Sequence, residues 1–282
     1  MKSISFKVEK SEETCLLEFL ATKLHVSKKK VKKQLLDTKR VFVNQRLVWI
    51  AKHPLHCGDI VTVPPDSIME IAEGKTKALP DIPVLYNDGN VIVVNKPPGL
   101  ASNGSNSLEE RLRKKMRLPE LECVHRLDTD TSGCLALALH PSARDYMFQL
   151  FRTHKVRKVY HVIVCGFLDT SDMNITTPID GHSALTRIKT ISAGTQASHL
   201  WAELDTGRTH QIRRHLYNIG HPVLGDRLYG TNRKYNEKEM AVARQMLHAY
   251  LLEWETQDKQ KITVKAPLPP DFKETLLRFG LG

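Results

Sequence analysis

The sequence predicts a protein of the α+β class with two domains. Its 282 residues are enough for about two domains that each bury a core of their own. Predicted strands and helices follow one another without a regular βαβ repeat, which favours an α+β domain over a doubly wound parallel sheet. In and beside residues 66–82, prolines and a glycine stand among charged residues and predict a linker. We therefore expect one domain at residues 1–65 and another at residues 83–282.

The smaller domain is expected to begin with two helices. Leucines recur at helical spacing over residues 14–24, and Thr14 is placed to cap the start of this helix. A second short helix should begin after Ser27, with Val31 and Leu35 facing inward. The other positions of this helix carry five lysines, which are Lys28, Lys29, Lys30, Lys32 and Lys33.

Strands dominate the elements predicted after these helices. In the smaller domain, short β-rich segments that should pair with one another occupy residues 41–44, 47–50 and 60–63. In the larger domain, the apolar run at residues 91–94 predicts a buried strand that ends in a fixed turn. Further along the chain we expect a polar loop and basic helix at residues 100–116, a helix at 142–151, and strands at 134–139, 159–164 and 200–204.

The charge of the chain points to a polyanionic partner. The formal net charge is +11, and residues 1–65 hold 13 lysines and arginines against 6 acidic residues. Basic proteins also bind acidic lipids, but a basic excess confined to one region is typical of nucleic-acid binders.

Cysteines and hydropathy indicate the compartment. The five cysteines lie far apart and form no CxxC pair, so they give little support to a disulfide framework or a metal site. The chain begins without the apolar core of a signal peptide and contains no apolar run of membrane-spanning length. We expect a cytoplasmic protein that does not enter a membrane.

Three short strings carry most of the functional signal. Residues 125–133 read His-Arg-Leu-Asp-Thr-Asp-Thr-Ser-Gly and place a carboxylate, Asp128, beside a guanidinium. Residues 157–160 read Arg-Lys-Val-Tyr, and residues 207–215 read Gly-Arg-Thr-His-Gln-Ile-Arg-Arg-His. Taken alone, Asp128 would more often be a turn or capping residue, and Tyr160 would more often be a core residue of a strand. Each string therefore gains its meaning from the other two.

In this order, the three strings resemble the motifs of the RluA-type pseudouridine synthases, and the resemblance covers about residues 83–277. It implies an α+β catalytic domain with a mixed, largely antiparallel sheet and a central cleft. The implied reaction converts a uridine in RNA to pseudouridine: the bond from N1 of the base to the ribose breaks, and the base is reattached through C5. The resemblance implies no cofactor and no metal.

The same resemblance assigns roles to four residues. Asp128 would supply the essential carboxylate, either as a nucleophile toward the ribose or the base, or as a base that removes a proton from the sugar. Each of these roles requires an ionised and poorly hydrated carboxylate. Arg213 would hold the carboxylate through its planar, permanently charged fork. Tyr160 would stack on the target base, and Arg126 would fill the space that a flipped nucleotide leaves in its stem.

The amino-terminal region resembles the small RNA-binding domain shared by a ribosomal small-subunit protein, tyrosyl-tRNA synthetases and many pseudouridine synthases. Ser27-Lys28 stands where that family commonly has Ser-Arg, which keeps the charge but loses the bidentate fork of arginine. The resemblance implies that the five lysines contact RNA phosphates, and a solvated helix face is the alternative. We expect a structured RNA partner, ribosomal RNA with tRNA as the alternative, and a monomeric protein.

Other interpretations remain open. A non-catalytic RNA-binding or ribosome-assembly factor would keep the same fold, and the intact Asp128 weighs against it. The small-subunit type of synthase usually has Gly in place of His before Arg-Leu-Asp and lacks Thr-His-Gln-Ile-Arg. A hydrolase with paired carboxylates would need Asp130 as its second acid, yet the following Thr131 and Ser132 favour a turn. Three histidines match no zinc-site spacing and are expected to form structural hydrogen bonds, namely His125, His210 and His215.

Overall fold

The computed structural model of the protein describes residues 4–64, 81–230 and 234–282. Its described residues form two compact units, of which the first contains residues 4–64 and 225–244 without 231–233. The second contains residues 81–224 and 245–282. The predicted linker at residues 66–82 falls almost wholly outside the described residues, and the domain boundaries at residues 65 and 83 stay predictions.

The first unit contains a small antiparallel sheet and two main helices. Its four described strands are β1 (Ile4–Lys7), β2 (Phe42–Val43), β3 (Arg46–Leu47) and β4 (Ile60–Val63), in the order β1-β4-β2-β3. The helices are α1 (Leu16–Lys23) and α2 (Lys28–Val31), and α2 continues into a wider π-helical segment, Lys32–Leu36. A 3₁₀ turn at Lys10–Glu12 and a short helix at Glu237–Met240 complete the unit.

The predicted caps of the two helices have different outcomes. Thr14 as the cap of α1 is wrong, because Cys15 occupies the cap position and the Thr14 hydroxyl instead donates to Glu18 Oε2 at 2.8 Å. Ser27 as the cap of α2 is confirmed, since its hydroxyl accepts a hydrogen bond from the backbone N–H of Lys30. Val31 and Leu35 are fully buried, as their spacing predicted.

A segment from late in the chain completes the core of this first unit. Residues 225–244, which fall within the predicted larger domain, supply Tyr235 to this unit. The Tyr235 ring lies edge-on to that of Phe42 with centroids 5.3 Å apart. Both rings are buried, and the Arg227 guanidinium lies 5.1 Å from the centroid of Phe42. Deleting residues 1–65 would therefore expose an apolar surface on this segment.

The second unit contains a ten-stranded sheet among its described residues. The strand order is β10-β11-β12-β9-β13-β8-β6-β5, with β14 paired to β13 and β7 paired to β8. The strands are β5 (Val84–Asn87), β6 (Val91–Lys96), β7 (Glu122–Cys123), β8 (Ser132–Ala138), β9 (Arg157–Cys165), β10 (Met173–Ile175), β11 (Thr186–Ala193), β12 (Ala197–Leu204), β13 (Leu247–Glu255) and β14 (Lys261–Lys265). The helices are α3 (Leu108–Met116), α4 (Pro141–Arg152), α5 (Gln211–Asn218) and α6 (Pro270–Phe279).

The sheet is mixed and largely antiparallel, as predicted. Among the described strands, β8 and β13 pair in parallel, and every other pairing in this sheet is antiparallel. Both faces of its centre are covered, because Ile92 and Val94 belong to one apolar core while Val91 and Val93 belong to another that includes residues of α4. Burial on both faces explains why residues 91–94 of β6 form a continuous apolar run.

Gly133 lets β8 and β13 approach closely. Its φ is +113°, and a Cβ at this position would lie 2.2 Å from the carbonyl oxygen of Ala249. Next to this contact, the Ser132 hydroxyl and His248 Nδ1 form a buried hydrogen bond of 2.9 Å. The close approach holds the residues that precede β8 beside the residues that precede β13.

None of the helices in the described ranges combines the length and apolarity that crossing a membrane requires.

A histidine pair on neighbouring strands should make stability depend on pH. His161 Nδ1 and His199 Nε2 lie 2.9 Å apart, and burial lowers the pKa of each ring to about 4. Below about pH 6.5 these histidines bind protons in the unfolded chain, whereas the folded pair stays neutral. The free energy of unfolding therefore falls as the pH is lowered, until the pH nears 4. We expect thermal unfolding midpoints measured from pH 7.5 to 4.5 to fall less steeply in His199→Gln than in the wild type.

An equal slope in His199→Gln and the wild type would contradict the assignment to the pair.

Candidate active site

A cleft with a volume of about 1110 Å³ opens in the second unit. Its lining includes residues of all three strings singled out in the sequence, among them Arg126, Asp128, Tyr160 and Arg213. The strings are far apart in the chain. The first two come together because β8 and β9 both pair with β13, and the third follows β12, which pairs with β9 on its other side. The cleft is large enough for a nucleotide-sized ligand, since small-molecule sites in proteins commonly have volumes of about 300–1,000 Å³.

Asp128 lines this cleft and lies in the loop between β7 and β8. Its Oδ2 accepts a hydrogen bond of 2.7 Å from Arg213 Nη1, and Gln245 Nε2 lies 3.4 Å from the same oxygen. His210 Nε2 lies 3.7 Å from the other carboxylate oxygen. The Arg213 side chain is 7% exposed, whereas that of Asp128 is 28% exposed. The buried Arg213 therefore binds one oxygen of the carboxylate, and the rest of the carboxylate is accessible from the cleft.

Helix α5 carries Arg213 into position, and Gln211 anchors its first turn. The Gln211 Oε1 accepts hydrogen bonds from the Thr206 hydroxyl at 2.8 Å and from the backbone N–H of Arg208 at 3.0 Å. The amide Nε2 donates to the carbonyl of Leu185 at 3.0 Å and to Thr186 Oγ1 at 3.1 Å. Because Gln211 is buried, this network fixes the start of α5 against β11.

Two buried side chains, Lys96 and Ser102, form hydrogen bonds with the backbone of the loop that carries Asp128. The ammonium of Lys96, which is 0% exposed, donates to the carbonyl oxygens of Pro97, Leu100 and Thr129 at 2.7–2.9 Å. The Ser102 hydroxyl donates to the Leu127 carbonyl at 2.8 Å and accepts from the Leu127 N–H at 2.9 Å. The residues on either side of Asp128 are thus fixed by side chains from the last residue of β6 and from the segment that follows it.

Gln245, which lies two residues before β13, supports the same loop. Its Nε2 donates to Thr131 Oγ1 at 2.8 Å, in addition to its longer contact with Asp128. Lys96, Ser102 and Gln245 were not predicted from the sequence as supports of the site. Lys96 gave the one usable signal, because a charged residue at the end of a buried apolar strand needs polar partners nearby.

Tyr160 lies on β9 with 8% of its surface exposed, and it contributes to the cleft wall. Burial raises the pKa of its phenol above the ordinary value, and the negative charge of Asp128 raises it further. The side chain is consequently neutral at physiological pH. A neutral aromatic ring at the wall of a cleft can stack on a base.

The remaining predicted RNA-binding residues lie in two places. Arg126 is exposed and lines the same cleft as Asp128. The five lysines lie on α2 and on the π-helical segment of the first unit, where Lys28 Nζ pairs with Glu18 at 2.5 Å. Three of them are exposed and have no ion-pair partner in the described part of the chain, namely Lys29, Lys32 and Lys33.

The three histidines near the cleft differ in their surroundings. His125 Nε2 accepts a hydrogen bond of 3.1 Å from the backbone N–H of Ala136, and burial lowers the pKa of this ring to about 3. His215 bridges Thr186 Oγ1 and the Thr177 carbonyl at 2.9 and 2.8 Å. These contacts match the expected structural role, whereas His210 lies beside Asp128. No cluster of three or more metal-ligating side chains occurs within residues 4–64, 81–230 and 234–282.

Asp130 is exposed at the edge of the cleft, two residues beyond Asp128. The backbone N–H of Thr131 donates to the Asp128 carbonyl at 3.0 Å, so the segment forms the turn that the sequence predicted.

Comparison with known proteins agrees with these motifs. Residues 90–218 match the model of a family described as RNA pseudouridylate synthase. The chain is 30% identical over 292 residues to the ribosomal large subunit pseudouridine synthase C of Vibrio cholerae, covering 92% of this chain and 91% of the relative. It is 32% identical over 226 residues to the ribosomal large subunit pseudouridine synthase D of Buchnera aphidicola, covering 68% of this chain and 71% of the relative.

Solved structures share a fold with about 70% of this chain. The human RNA Pseudouridylate Synthase Domain Containing 1 matches with a TM-score of 0.59 and 27% identity, over 71% of this chain and 90% of that chain. The human Domain Containing 4 protein matches with a TM-score of 0.60 and 23% identity, over 70% of this chain and 92% of that chain. Because a relative matched over nearly the whole chain carries the same activity in its name as the family model, the chain belongs to the RluA family of RNA pseudouridine synthases.

Proposed function

We propose that this enzyme isomerises specific uridines of ribosomal RNA to pseudouridine, and that Asp128 supplies the reacting carboxylate. The bond between N1 and the ribose C1′ breaks, a bond between C5 and C1′ forms, the C5 proton leaves and N1 gains a proton. The proposal rests above all on the 2.7 Å contact between the Asp128 carboxylate and the buried Arg213 in the cleft. The permanently charged guanidinium is a matched counterion for the negative charge that each proposed role of Asp128 requires.

The surroundings of Asp128 fit this chemistry. Arg213 and Gln245 occupy one carboxylate oxygen, and the exposed part of the carboxylate faces the space where the ribose and base would lie. Tyr160 would stack on the extruded base and Arg126 would fill its place in the stem. A non-catalytic RNA-binding factor would have no need for a charged pair held in this way.

Ribosomal RNA is the substrate we propose, with tRNA as the alternative. Support comes from the Vibrio cholerae and Buchnera aphidicola relatives, both of which are named for the large ribosomal subunit. We further propose that the enzyme acts as a monomer in the cytoplasm. All five cysteines are free thiols, which is typical of proteins in a reducing compartment.

Mapping of pseudouridines tests the proposal directly. Cellular RNA from cells with and without the gene is compared base by base, and the gene is returned on a plasmid as wild type or as Asp128→Asn. Loss of one or more ribosomal pseudouridines that only the wild type restores would support the proposal. Loss confined to tRNA would replace the substrate, and identical maps in all strains would refute the function.

Tyr160→Phe should separate stacking from chemistry. The Phe ring can stack as Tyr160 does, so binding of a substrate stem-loop should change little. If the hydroxyl assists removal of the C5 proton, turnover should fall by about 10²-fold, the lower range for general acid–base catalysis. Single-turnover rates and dissociation constants measure the two effects, with Tyr160→Ala as the variant that also loses stacking. Full activity in both variants would remove Tyr160 from the site.

We also propose that residues 1–65 form an RNA-binding domain whose lysines contact phosphates. Three exposed lysines, Lys29, Lys32 and Lys33, are replaced together by Gln. Because each lost phosphate contact lowers the slope of log affinity against log salt by a little under one unit, we expect the slope to fall by about two units. Binding of full-length ribosomal RNA is measured across a salt series.

The matched control changes three other exposed lysines of the first unit to Gln, which are Lys7, Lys10 and Lys52. Substitution is preferred to deletion because residues 225–244 pack in the same unit. Equal slopes for the two triple variants would mean that the lysines of α2 are a solvated face.

A further inference from the structure

Lys158 is a buried cation at the wall of the cleft with weak partners. The residue is 6% exposed and contributes to the cleft lining. Its ammonium approaches the carbonyl oxygens of Asp205 and Thr206 at 3.4 and 3.5 Å. Both distances exceed the usual 2.7–3.2 Å of an N–H···O hydrogen bond in proteins. An ammonium offers three donors, and here none has a short acceptor in the described part of the chain.

The charge of Lys158 is not neutralised within the described residues. No carboxylate among them lies within ion-pair distance of its ammonium, and the Asp205 carboxylate is engaged by the Arg187 guanidinium at 2.6 and 2.8 Å. Burial lowers the pKa of Lys158, because the surroundings favour the neutral form. A buried cation with no close counterion is costly to the folded protein, and an anion that enters the cleft would relieve that cost.

The position of Lys158 identifies the anion. Lys158 and Tyr160 are two residues apart on β9, so their side chains leave the same face of the sheet about 7 Å apart along the strand. With the target base stacked on Tyr160, the sugar–phosphate backbone of the same or the adjoining nucleotide would pass Lys158. Asp128, the carboxylate of the reaction centre, already has Arg213 as its partner.

We propose that Lys158 binds a backbone phosphate of the target uridine or of its immediate neighbour and so fixes the ribose relative to Asp128. This inference rests on the proposed function, since it takes an extruded uridine as the ligand. Lys158 is a positioning residue in this scheme: it neither attacks nor transfers a proton. A purely structural role, in which the ammonium stabilises the loop at residues 205–206, is the outcome against which the test is designed.

The test couples one lysine to one phosphate. The RNA is a short stem-loop around the uridine identified by mapping, in which a neutral methylphosphonate replaces one phosphate at a time near that uridine. The proteins are the wild type, Lys158→Met, Lys158→Arg, and Lys155→Met as a matched control, because Lys155 is exposed in the same segment and does not line the cleft. Dissociation constants are measured by fluorescence anisotropy over a salt series.

One methylphosphonate position should weaken binding by the wild type and by Lys155→Met about tenfold, as expected for a lost charge-assisted contact. The same neutral phosphate should cost Lys158→Met nothing further, and this variant should show a salt slope lower by somewhat less than one unit. Lys158→Arg should recover the dependence on that phosphate. We expect Lys158→Met to raise KM and also to lower kcat, because a misplaced ribose reacts slowly.

Other results would overturn the inference. If every methylphosphonate affects wild type and Lys158→Met equally, no phosphate is bound by Lys158, even where the variant is less stable or less active. Because the coupling is measured by binding, it can be determined whether or not product forms. Wild-type activity on the unmodified stem-loop is assayed in parallel, so an inactive wild type refutes the proposed function, whereas an active wild type without coupling refutes only the role of Lys158.

Discussion

Asp128→Asn is expected to abolish pseudouridine formation while RNA binding remains close to that of the wild type. The amide has nearly the shape of the carboxylate and can still accept the hydrogen bond from Arg213, but it can act neither as the nucleophile nor as the base. Removal of a single essential group from other enzymes lowers kcat by about 10⁴-fold or more. Detection of pseudouridine in ribosomal RNA under single-turnover conditions measures the rate. Fluorescence anisotropy measures RNA binding.

Asp130→Asn is the matched control, because Asp130 is also an acid at the cleft and lies two residues away. We expect this variant to keep a rate within a few-fold of the wild type. If Asp130→Asn were the inactive variant and Asp128→Asn were active, the assignment of the two acids would be reversed. Comparable losses in both would point to paired carboxylates and hence to a different reaction.

The central pair of the site could be predicted from the sequence because its motifs are local strings. Asp128 and Arg213 were expected to meet, and they do so at 2.7 Å although 85 residues separate them. The supports of the loop could not be predicted in the same way. Gln245 reaches Asp128 across 117 residues, and only the parallel pairing of β8 with β13 brings them together. Nothing in the local sequence around Gln245 specifies that pairing.

The fold was predictable where one periodic pattern dominates a segment. The spacing of leucines predicted α1, and the continuous apolar run predicted β6, because each pattern reflects burial of the element itself. Strand β1 was missed although Ile4, Phe6 and Val8 alternate with polar residues, because the strand is only four residues long and most of its residues are exposed. The placement of residues 225–244 in the first unit was equally hidden, since Phe42 and Tyr235 meet by tertiary packing alone.

Arg213→Lys should lower the rate by about 10²-fold, although the substitution preserves the charge. The guanidinium is nearly buried and its Nη1 holds one oxygen of Asp128 in a fixed direction. An ammonium is a point charge on a flexible stem, so it would leave the carboxylate free to turn and would draw water into the buried site. Breaking a buried ion pair costs about 3–5 kcal/mol. A lysine would recover part of this free energy, and the remainder corresponds to the expected loss of about 10²-fold in rate. Single-turnover kinetics at saturating enzyme measures it.

The next residue of the same helix supplies the control. Arg214 pairs with Asp180 at 2.8 and 3.0 Å, and the Asp180 side chain is 68% exposed. Because exposed pairs contribute at most about 1 kcal/mol, Arg214→Lys should change the rate and the unfolding midpoint only slightly. The comparison removes any general effect of lysine on the first turns of α5. A wild-type rate in Arg213→Lys, with Asp128→Asn inactive, would show that charge near the carboxylate is enough and that the direction of the contact does not matter.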